Sequence, residues 1–400
     1  MSCDMKIAIW LEQGAGGGVD THLISMLNNW PVQDDELTLF TNSDNPSKLL
    51  IASNVTNPNF HTIVDVRRIW VAPYKFVMLS QFILLPAVVW WGSVRSQHLL
   101  KQHGPFDSFL ADNGGYPGSW STLGALRGAR KAKIRRRVLL VHHQALPRLP
   151  FRKTIESMID RFVINWADMV LTVSAATRDT LVNRRDFDLV KRQIRVVHNG
   201  IDHPFTPQKI DLRAVLGVLP EIFLIGIVGR LEKYKGHEEV IHALSELPEE
   251  ILTQVVLCIV GSSSESRTAE LLGLCQKLGI ENHVIFTGFL PEKSVDIIDS
   301  FDLLISATQE FEGFGLTILE AMSVGTPVLA TDVGAVSEFF SSEVGFLVPA
   351  GSISEITRSI EYIYNNPVNV RGRADAGLKH SLNFSGKKMS LEIHRELQGE

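Results

Sequence analysis

The sequence predicts an α/β protein made of two units of similar size, each built on its own parallel sheet. Three observations predict it. Short apolar runs alternate with helix-length runs along the whole chain, the pattern of strands joined by helical crossovers. The 400 residues exceed what one hydrophobic core holds. The alternation breaks once, at the proline-bearing stretch 202–208 with Pro220 beyond it, and then restarts. The expected domains are 1–203 and 204–384, with a C-terminal helix at about 385–400 packing back on the first. Two such units leave a cleft between them, a favoured place for ligands.

The first unit opens on Lys6–Leu11 (KIAIWL), a strand leading into the glycine loop 14–18 (GAGGG) and a helix over 19–30. The loop is not the dinucleotide fingerprint in its usual register. It serves either as a tight βα turn or as a place where substrate lies against the backbone. Strands follow at 37–41, 61–64, 107–111, 138–141, 168–173 and 195–197. The apolar run 75–91 (KFVMLSQFILLPAVVWW) is too short and too interrupted for a membrane span. It reads as a buried helix kinked at Pro86. The alternative is a helix whose apolar face touches a bilayer, with Trp90, Trp91, Arg67, Arg68, Lys75 and Arg95 at its margins.

The second unit places strands at 223–228, 254–260, 284–287, 302–307, 328–331 and 345–348. Helices fall near 237–247, 268–278, 291–300, 316–324 and 353–365, and again from Gly386. Gly325 and Pro327 close the helix at 316–324.

Charge is divided unevenly. Residues 1–198 carry 24 Lys and Arg against 16 Asp and Glu, and the remainder 15 against 28. The run 127–137 (RGARKAKIRRR), followed by Arg148, Arg152 and Lys153, suits an anionic partner such as lipid head groups or a lipid pyrophosphate, or else a solvated basic face. No nucleic-acid-binding motif accompanies it, so nucleic acid is not expected. Cys3, Cys258 and Cys275 have no paired spacing, so neither a disulfide framework nor a metal knuckle is indicated. No secretory leader pattern opens the sequence, and a reduced, cytoplasmic setting is expected.

The chemistry concentrates at two strand ends. Arg230 and Lys235 lie in the loop after 223–228, a planar fork and a mobile ammonium suited to a diphosphate. The stretch 309–323 (QEFEGFGLTILEAMS) sets Glu312 in a strand-to-helix loop and Glu320 inside the helix that leaves it. Gly313 and Gly315 allow close approach of a ligand, and the helix start offers amides to phosphate. Cations for a diphosphate together with carboxylates for hydroxyls describe a nucleotide-diphosphate sugar.

On these residues the chain resembles retaining glycosyltransferases of family 4, with the GT-B fold of two Rossmann-like domains facing across a cleft. The matching motifs are GRLEKYKG (229–236), the stretch 310–338, GFLVPAG (345–351), HNGID (198–202), Val173-Ser174 and GGVDTH (17–22). The resemblance implies that Arg230 and Lys235 bind and stabilise the leaving diphosphate. It implies that Glu312 holds sugar hydroxyls and that the amides of Gly313, Phe314, Gly315 and Leu316 lie along sugar and phosphate. Glu320 would hold the ribose. Gly17 or Gly18 would approach the diphosphate, and His142 would sit beside the sugar. The family often carries His-Asp at that point, and this chain has His142-His143, which leaves the choice between them open. Asp20 stands in place of the family's common Glu, and Gly261-Ser262-Ser263 lacks its usual second glycine.

The resemblance implies an enzyme that transfers sugar from a nucleotide-diphosphate sugar to a glycan or lipid-linked acceptor in cell-surface polysaccharide or lipopolysaccharide synthesis. A sugar-nucleotide epimerase and a non-catalytic sugar-nucleotide-binding protein are the competing readings. The sequence is read as carrying no Asp-x-Asp metal motif, so no metal and no other cofactor is expected. Peripheral attachment to the inner face of the cytoplasmic membrane, through 127–137 and 75–91, is the expected location.

Overall fold

A computed structural model describes residues 4–14, 16–66, 85–185, 187, 194–202, 212–290 and 293–399, apart from the side chains of His61 and Thr62. The chain divides into two compact units, Met1–Gly200 with Gly386–Glu400, and Ile201–Ser385. The expected boundary at 203/204 lies outside the described residues.

The first unit holds β1 (Lys6–Leu11), β2 (Glu36–Asn42), β3 (Phe60–Val66), β4 (Ser108–Asn113), β5 (Arg136–Val141), β6 (Met169–Thr172) and β7 (Ile194–Val196). They form one sheet in the order β3-β2-β1-β4-β5-β6-β7, every pair parallel. Residues 7–11 of β1 are buried without alternation, because helices cover a parallel sheet on both faces. Trp10 stacks on Phe40 with ring centroids 5.3 Å apart, under the helices Leu85–His103 and Trp120–Lys131.

The helix Gly386–Gln398 belongs to this first unit. Polar contacts fasten it: the Ser108 hydroxyl donates to the Leu397 carbonyl at 2.7 Å and the Ser390 hydroxyl to the Met26 carbonyl at 2.9 Å. His394 Nε2 lies 2.9 Å from Asp35 Oδ2, which also accepts from Trp30 Nε1. Burial opposes the charge on Asp35, but hydrogen bonds from His394, Trp30 and the Met5 amide hold its carboxyl below the usual range.

The second unit holds β8 (Phe223–Val228), β9 (Val255–Val260), β10 (Val284–Gly288), β11 (Leu303–Ser306), β12 (Val328–Thr331) and β13 (Phe346–Val348). Their order is β10-β9-β8-β11-β12-β13, again wholly parallel. Two ends of the helix Glu265–Leu278 show how local sequence sets its length. Ser264 Oγ accepts from the Arg267 amide at its start, and Gly279 in the left-handed region stops it.

Two expectations change. Residues 75–84 lie outside the described residues, and from Leu85 the chain forms a helix reaching His103, well past the apolar run. Trp90 and Trp91 are 49% and 51% exposed, so this end of the run is not a buried helix. Pro86 is the second described residue of this helix, and the expected kink at Pro86 falls where the chain leaves the described residues.

The basic run is not one continuous strip either. Its first part ends the helix Trp120–Lys131, and Arg136 and Arg137 belong to β5. Arg136 Nε donates to the Glu396 carbonyl at 2.7 Å, and Arg137 pairs with Asp168 at 2.6 Å. Arg148 pairs with buried Asp160 at 2.9 Å and Arg152 with buried Glu156 at 2.6 Å. Arg130, Lys131, Lys133 and Arg135 remain exposed.

Candidate functional site

In both sheets the strand order turns back at one point, between β1 and β4 in the first unit and between β8 and β11 in the second. Loops on either side of such a point leave the carboxyl edge in opposite directions and open a crevice for ligands. In the second unit those loops are 229–236 and 307–315, the two that carry Arg230, Lys235 and Glu312.

Backbone contacts latch the two loops together. The Gln309 amide donates to the Tyr234 carbonyl at 2.7 Å. Gly236 has φ +76°, and a Cβ there would collide with the Ala307 carbonyl, so only glycine permits this approach. The latch brings Lys235 Nζ to 2.8 Å from Glu312 Oε2, and the Thr308 hydroxyl donates to the same oxygen at 3.0 Å. From the next loop, the Ala335 amide donates to the Glu312 carbonyl at 2.9 Å. Glu312 is thus held at main chain and side chain alike.

Arg230 does not share this carboxylate. It pairs with Glu232, two residues on, and its side chain is about two-fifths exposed. Its loop is braced from behind by Arg267, whose Nε donates to the Leu231 carbonyl at 3.1 Å while Nη1 and Nη2 grip Glu238 at 2.5 and 2.6 Å. Nothing in the local sequence marks Arg267 or Thr308 as partners of these loops. Each is found only once the loops are folded.

Gly315, with φ +100°, turns the chain into the helix Leu316–Val324. The first amides of a helix have no carbonyl partner within it. Phe314 between the two glycines is buried and stacks on Phe339 with centroids 4.7 Å apart, which pins the loop to the core. Glu320 lies one turn further along the helix, away from the Lys235–Glu312 pair, and its Oε2 is buried with no hydrogen-bond partner. Burial pushes its carboxyl up to about 7, against the smaller opposing effect of the Ser294 hydroxyl.

In the first unit the corresponding edge holds Gly17, Gly18 and His142. The helix Gly18–Asn28 begins at the glycine loop. Asp20 anchors that loop: its Oδ2 accepts from the Gly17 backbone amide at 2.9 Å and the Ser47 hydroxyl at 2.6 Å, and its Oδ1 accepts from Gln13 Nε2. Burial raises the Asp20 carboxyl above its ordinary value despite these bonds. A Cβ on Gly17 would meet nothing within 4 Å, so packing does not require glycine there.

His142 is buried at the end of β5, with Nε2 2.6 Å from Asp112 Oδ1. The ring of His22 meets it edge-on at 4.5 Å, and His22 Nδ1 lies 2.9 Å from Asn199 Oδ1. Burial, with His142 adding to it, pushes His22 down to about 3, which keeps its ring neutral. His143, the alternative in sequence, is only half-buried. Asp112, His22 and Asn199 were not expected at the site, although His22 and Asn199 belong to the motifs GGVDTH and HNGID.

Two sequence families together span most of the chain. The model described as Glycosyltransferase Family 4 matches residues 16–204, and the one described as Glycosyl transferases group 1 matches residues 208–380. The chain belongs to the group 1, family 4 glycosyltransferases. The glycosyltransferase is 30% identical over 233 residues to D-inositol 3-phosphate glycosyltransferase of Mycolicibacterium smegmatis, covering 56% of this chain and 51% of that protein. It is 27% identical over 260 residues to the Corynebacterium aurimucosum protein of the same name, covering 63% and 61%. The matched region spans about half the length of these curated relatives.

Among solved structures it is similar to Anabaena HepE in complex with UDP-glucose, with a TM-score of 0.74 at 22% identity, covering 99% of this chain and 100% of that one. A glycosyltransferase from Rickettsia africae gives a TM-score of 0.75 at 19% identity, covering 99% of each. The fold of this glycosyltransferase is the two-domain α/β fold GT-B, as its motifs imply.

Two details bear on ions and membranes. The chain does contain one Asp-x-Asp triplet, Asp186-Phe187-Asp188, which follows the helix Ala175–Arg185, and its two acids lie outside the described residues. Among the described residues, no group of three His, Cys, Asp or Glu side chains is placed to hold a metal, and no helix is long and apolar enough to cross a membrane.

Proposed function

We propose that this glycosyltransferase moves a sugar from a nucleotide-diphosphate donor to a hydroxyl acceptor, with retention at the anomeric carbon and without a metal. The observation that carries the reading is the Lys235–Glu312 pair at the strand-order switch point, with Arg230 on the same loop and buried Glu320 in the helix behind. Arg230 and Lys235 take the diphosphate and stabilise charge as it leaves. Glu312 turns its carboxylate to sugar hydroxyls, and Glu320 takes the ribose. The amides of Gly313–Leu316 add donors along the same line. Gly17 and Gly18 serve the diphosphate, and His142 the sugar.

Departure of the diphosphate leaves an oxocarbenium-like sugar, and its phosphate oxygen takes the acceptor proton on the same face. Such a step calls for preorganised cations and amides rather than a strong protein base. The HepE structure, solved with UDP-glucose, supports a nucleotide-sugar donor by analogy of fold. The acceptor we propose is a glycan or lipid-linked glycan at the cytoplasmic face of a membrane, in cell-surface polysaccharide or lipopolysaccharide synthesis.

The decisive experiment incubates the purified chain with UDP-, GDP- and ADP-sugars, with and without acceptor glycans, in the presence of EDTA. Transfer with retained configuration supports the reading. Epimerisation of the donor without acceptor, or donor binding with no turnover on any acceptor, overturns it. Loss of transfer in EDTA overturns its metal-free part.

A further inference from the structure

Asp112 is the fifth residue of β4, and His142 directly follows β5. The two strands run side by side with Asp112 opposite Leu140 and Asn113 opposite Val141, and the His142 amide extends the ladder by donating to the Asn113 carbonyl at 3.2 Å. This register delivers both side chains to one place. Asp112 is fully buried, and its Oδ1 lies 2.6 Å from His142 Nε2, a charge-assisted distance.

The second oxygen, Asp112 Oδ2, is buried with no hydrogen-bond partner. A buried carboxylate satisfied on only one side costs stability. A group kept solely to stabilise the fold would be expected to use both oxygens, as Asp35 does with the Met5 amide on one and Trp30 and His394 on the other. The Asp112 carboxylate instead spends its single side-chain bond on His142. Further packing supports the ring: His22 meets it edge-on and is itself held by Asn199.

A carboxylate accepts hydrogen bonds and does not donate them, so the hydrogen of the imidazole resides on Nε2. Nδ1 makes no hydrogen bond to the described residues. We propose that Asp112 is a positioning residue, which fixes His142 in the Nε2–H tautomer so that Nδ1 accepts a hydrogen bond from a hydroxyl of the substrate. The inference deepens the glycosyltransferase reading and rests on it for the identity of that hydroxyl. The tautomer itself is a property of the unliganded protein.

Nitrogen NMR of protein labelled at histidine tests the hold directly, with His142 assigned by its substitution. Wild-type His142 is expected in the Nε2–H form. Asp112→Asn presents an amide that donates as readily as it accepts, and the tautomer preference should be lost while far-UV circular dichroism stays unchanged. With whichever donor sugar the wild type uses, Asp112→Asn should lower kcat by about 10- to 100-fold. The donor KM and the affinity for the free nucleoside diphosphate should stay within about twofold. Asp112→Asn added to His142→Gln should cost nothing beyond His142→Gln alone.

An Nδ1–H tautomer in the wild type overturns the proposal, as do losses from the two substitutions that multiply. Absence of transfer by the wild type with every donor overturns the glycosyltransferase reading, and the NMR result then decides the Asp112 hold alone.

Discussion

Lys235 and Glu312 stand 77 residues apart in sequence and 2.8 Å apart in the fold, joined across two loops that leave neighbouring strands. Each is the other's counter-charge, and both are the residues we assign to the donor. The assignment separates their tasks. Glu312→Ala should lower turnover by about 100-fold, the scale of losing one preorganised polar contact to the reacting sugar. Affinity for the free nucleoside diphosphate should change less than about threefold. Lys235→Ala should instead weaken that affinity by about tenfold or more. Steady-state kinetics and titration calorimetry on the two variants check the split. Wild-type activity in both would return this stretch to an ordinary surface turn.

Glu320 carries a pH signature. Its carboxyl is pushed from 4.5 up to about 7 by burial, so the folded protein binds that proton more tightly than the unfolded chain. Stability is therefore lost as pH rises from about 4.5 to 7, by up to about 3 kcal/mol, and stays at the lower level above that. Glu320→Gln removes the penalty. The variant should unfold at higher temperature than wild type at pH 8 and at nearly the same temperature at pH 5. It should also bind nucleoside diphosphate about tenfold more weakly at pH 8, where the ionised carboxylate is the better acceptor for ribose hydroxyls. Thermal unfolding and calorimetry at the two pH values measure both effects.

Gly17 and Gly236 should respond to alanine in opposite ways. A methyl on Gly17 meets open space, whereas one on Gly236 drives into the Ala307 carbonyl in a left-handed backbone conformation. Gly17→Ala should leave the urea midpoint unchanged while lowering transfer, because the free space is proposed to be that of the diphosphate. Gly236→Ala should lower stability by about 1–3 kcal/mol and transfer along with it. Equal behaviour of the two variants in urea unfolding would refute the distinction.

A membrane partner makes a separate prediction. The residues available to it are exposed Trp90 and Trp91 with the exposed cations Arg130, Lys131, Lys133 and Arg135. Binding to vesicles containing anionic lipid should exceed binding to neutral vesicles at low salt and fall steeply by about 0.5 M salt. Reversing the charge at Arg130 and Lys131 should weaken it, and sedimentation with vesicles reads the result. Equally poor binding to both vesicle types at low salt rejects the membrane partner.

How much of this was legible in the sequence depended on the range of the signal. The helix Leu316–Val324 and the helix Ile353–Asn365 fall where their periodicity and end residues place them, because capping and amphipathicity are local. Arg230, Lys235 and Glu312 also stand in the loops after β8 and β11 where the sequence places them, and Glu320 in the helix beyond. Their supports were not so placed. Thr308 and Arg267 act on residues brought near by the sheet, and no spacing rule encodes that. The basic run misled for the same reason. Arg136 and Arg137 look like neighbours of Arg135 in sequence, yet the strand carries them to partners at Glu396 and Asp168. Asp112 lies one residue past the strand expected at 107–111, and only the register of β4 against β5 shows which ring it meets.

The helix Gly386–Gln398 has a consequence for how the chain is made. The first unit is interrupted by the whole of the second, and Asp35, Ser108 and Arg136 each bond to a residue of the helix among the last residues described. During synthesis the ribosome therefore delivers a contiguous second unit before the first has received its closing helix. The N-terminal half must wait for that helix, with Ser108 and Arg136 lacking these partners, until the whole second unit has been made. Cleavage of the chain in this helix would strike the half of the protein that was synthesised first.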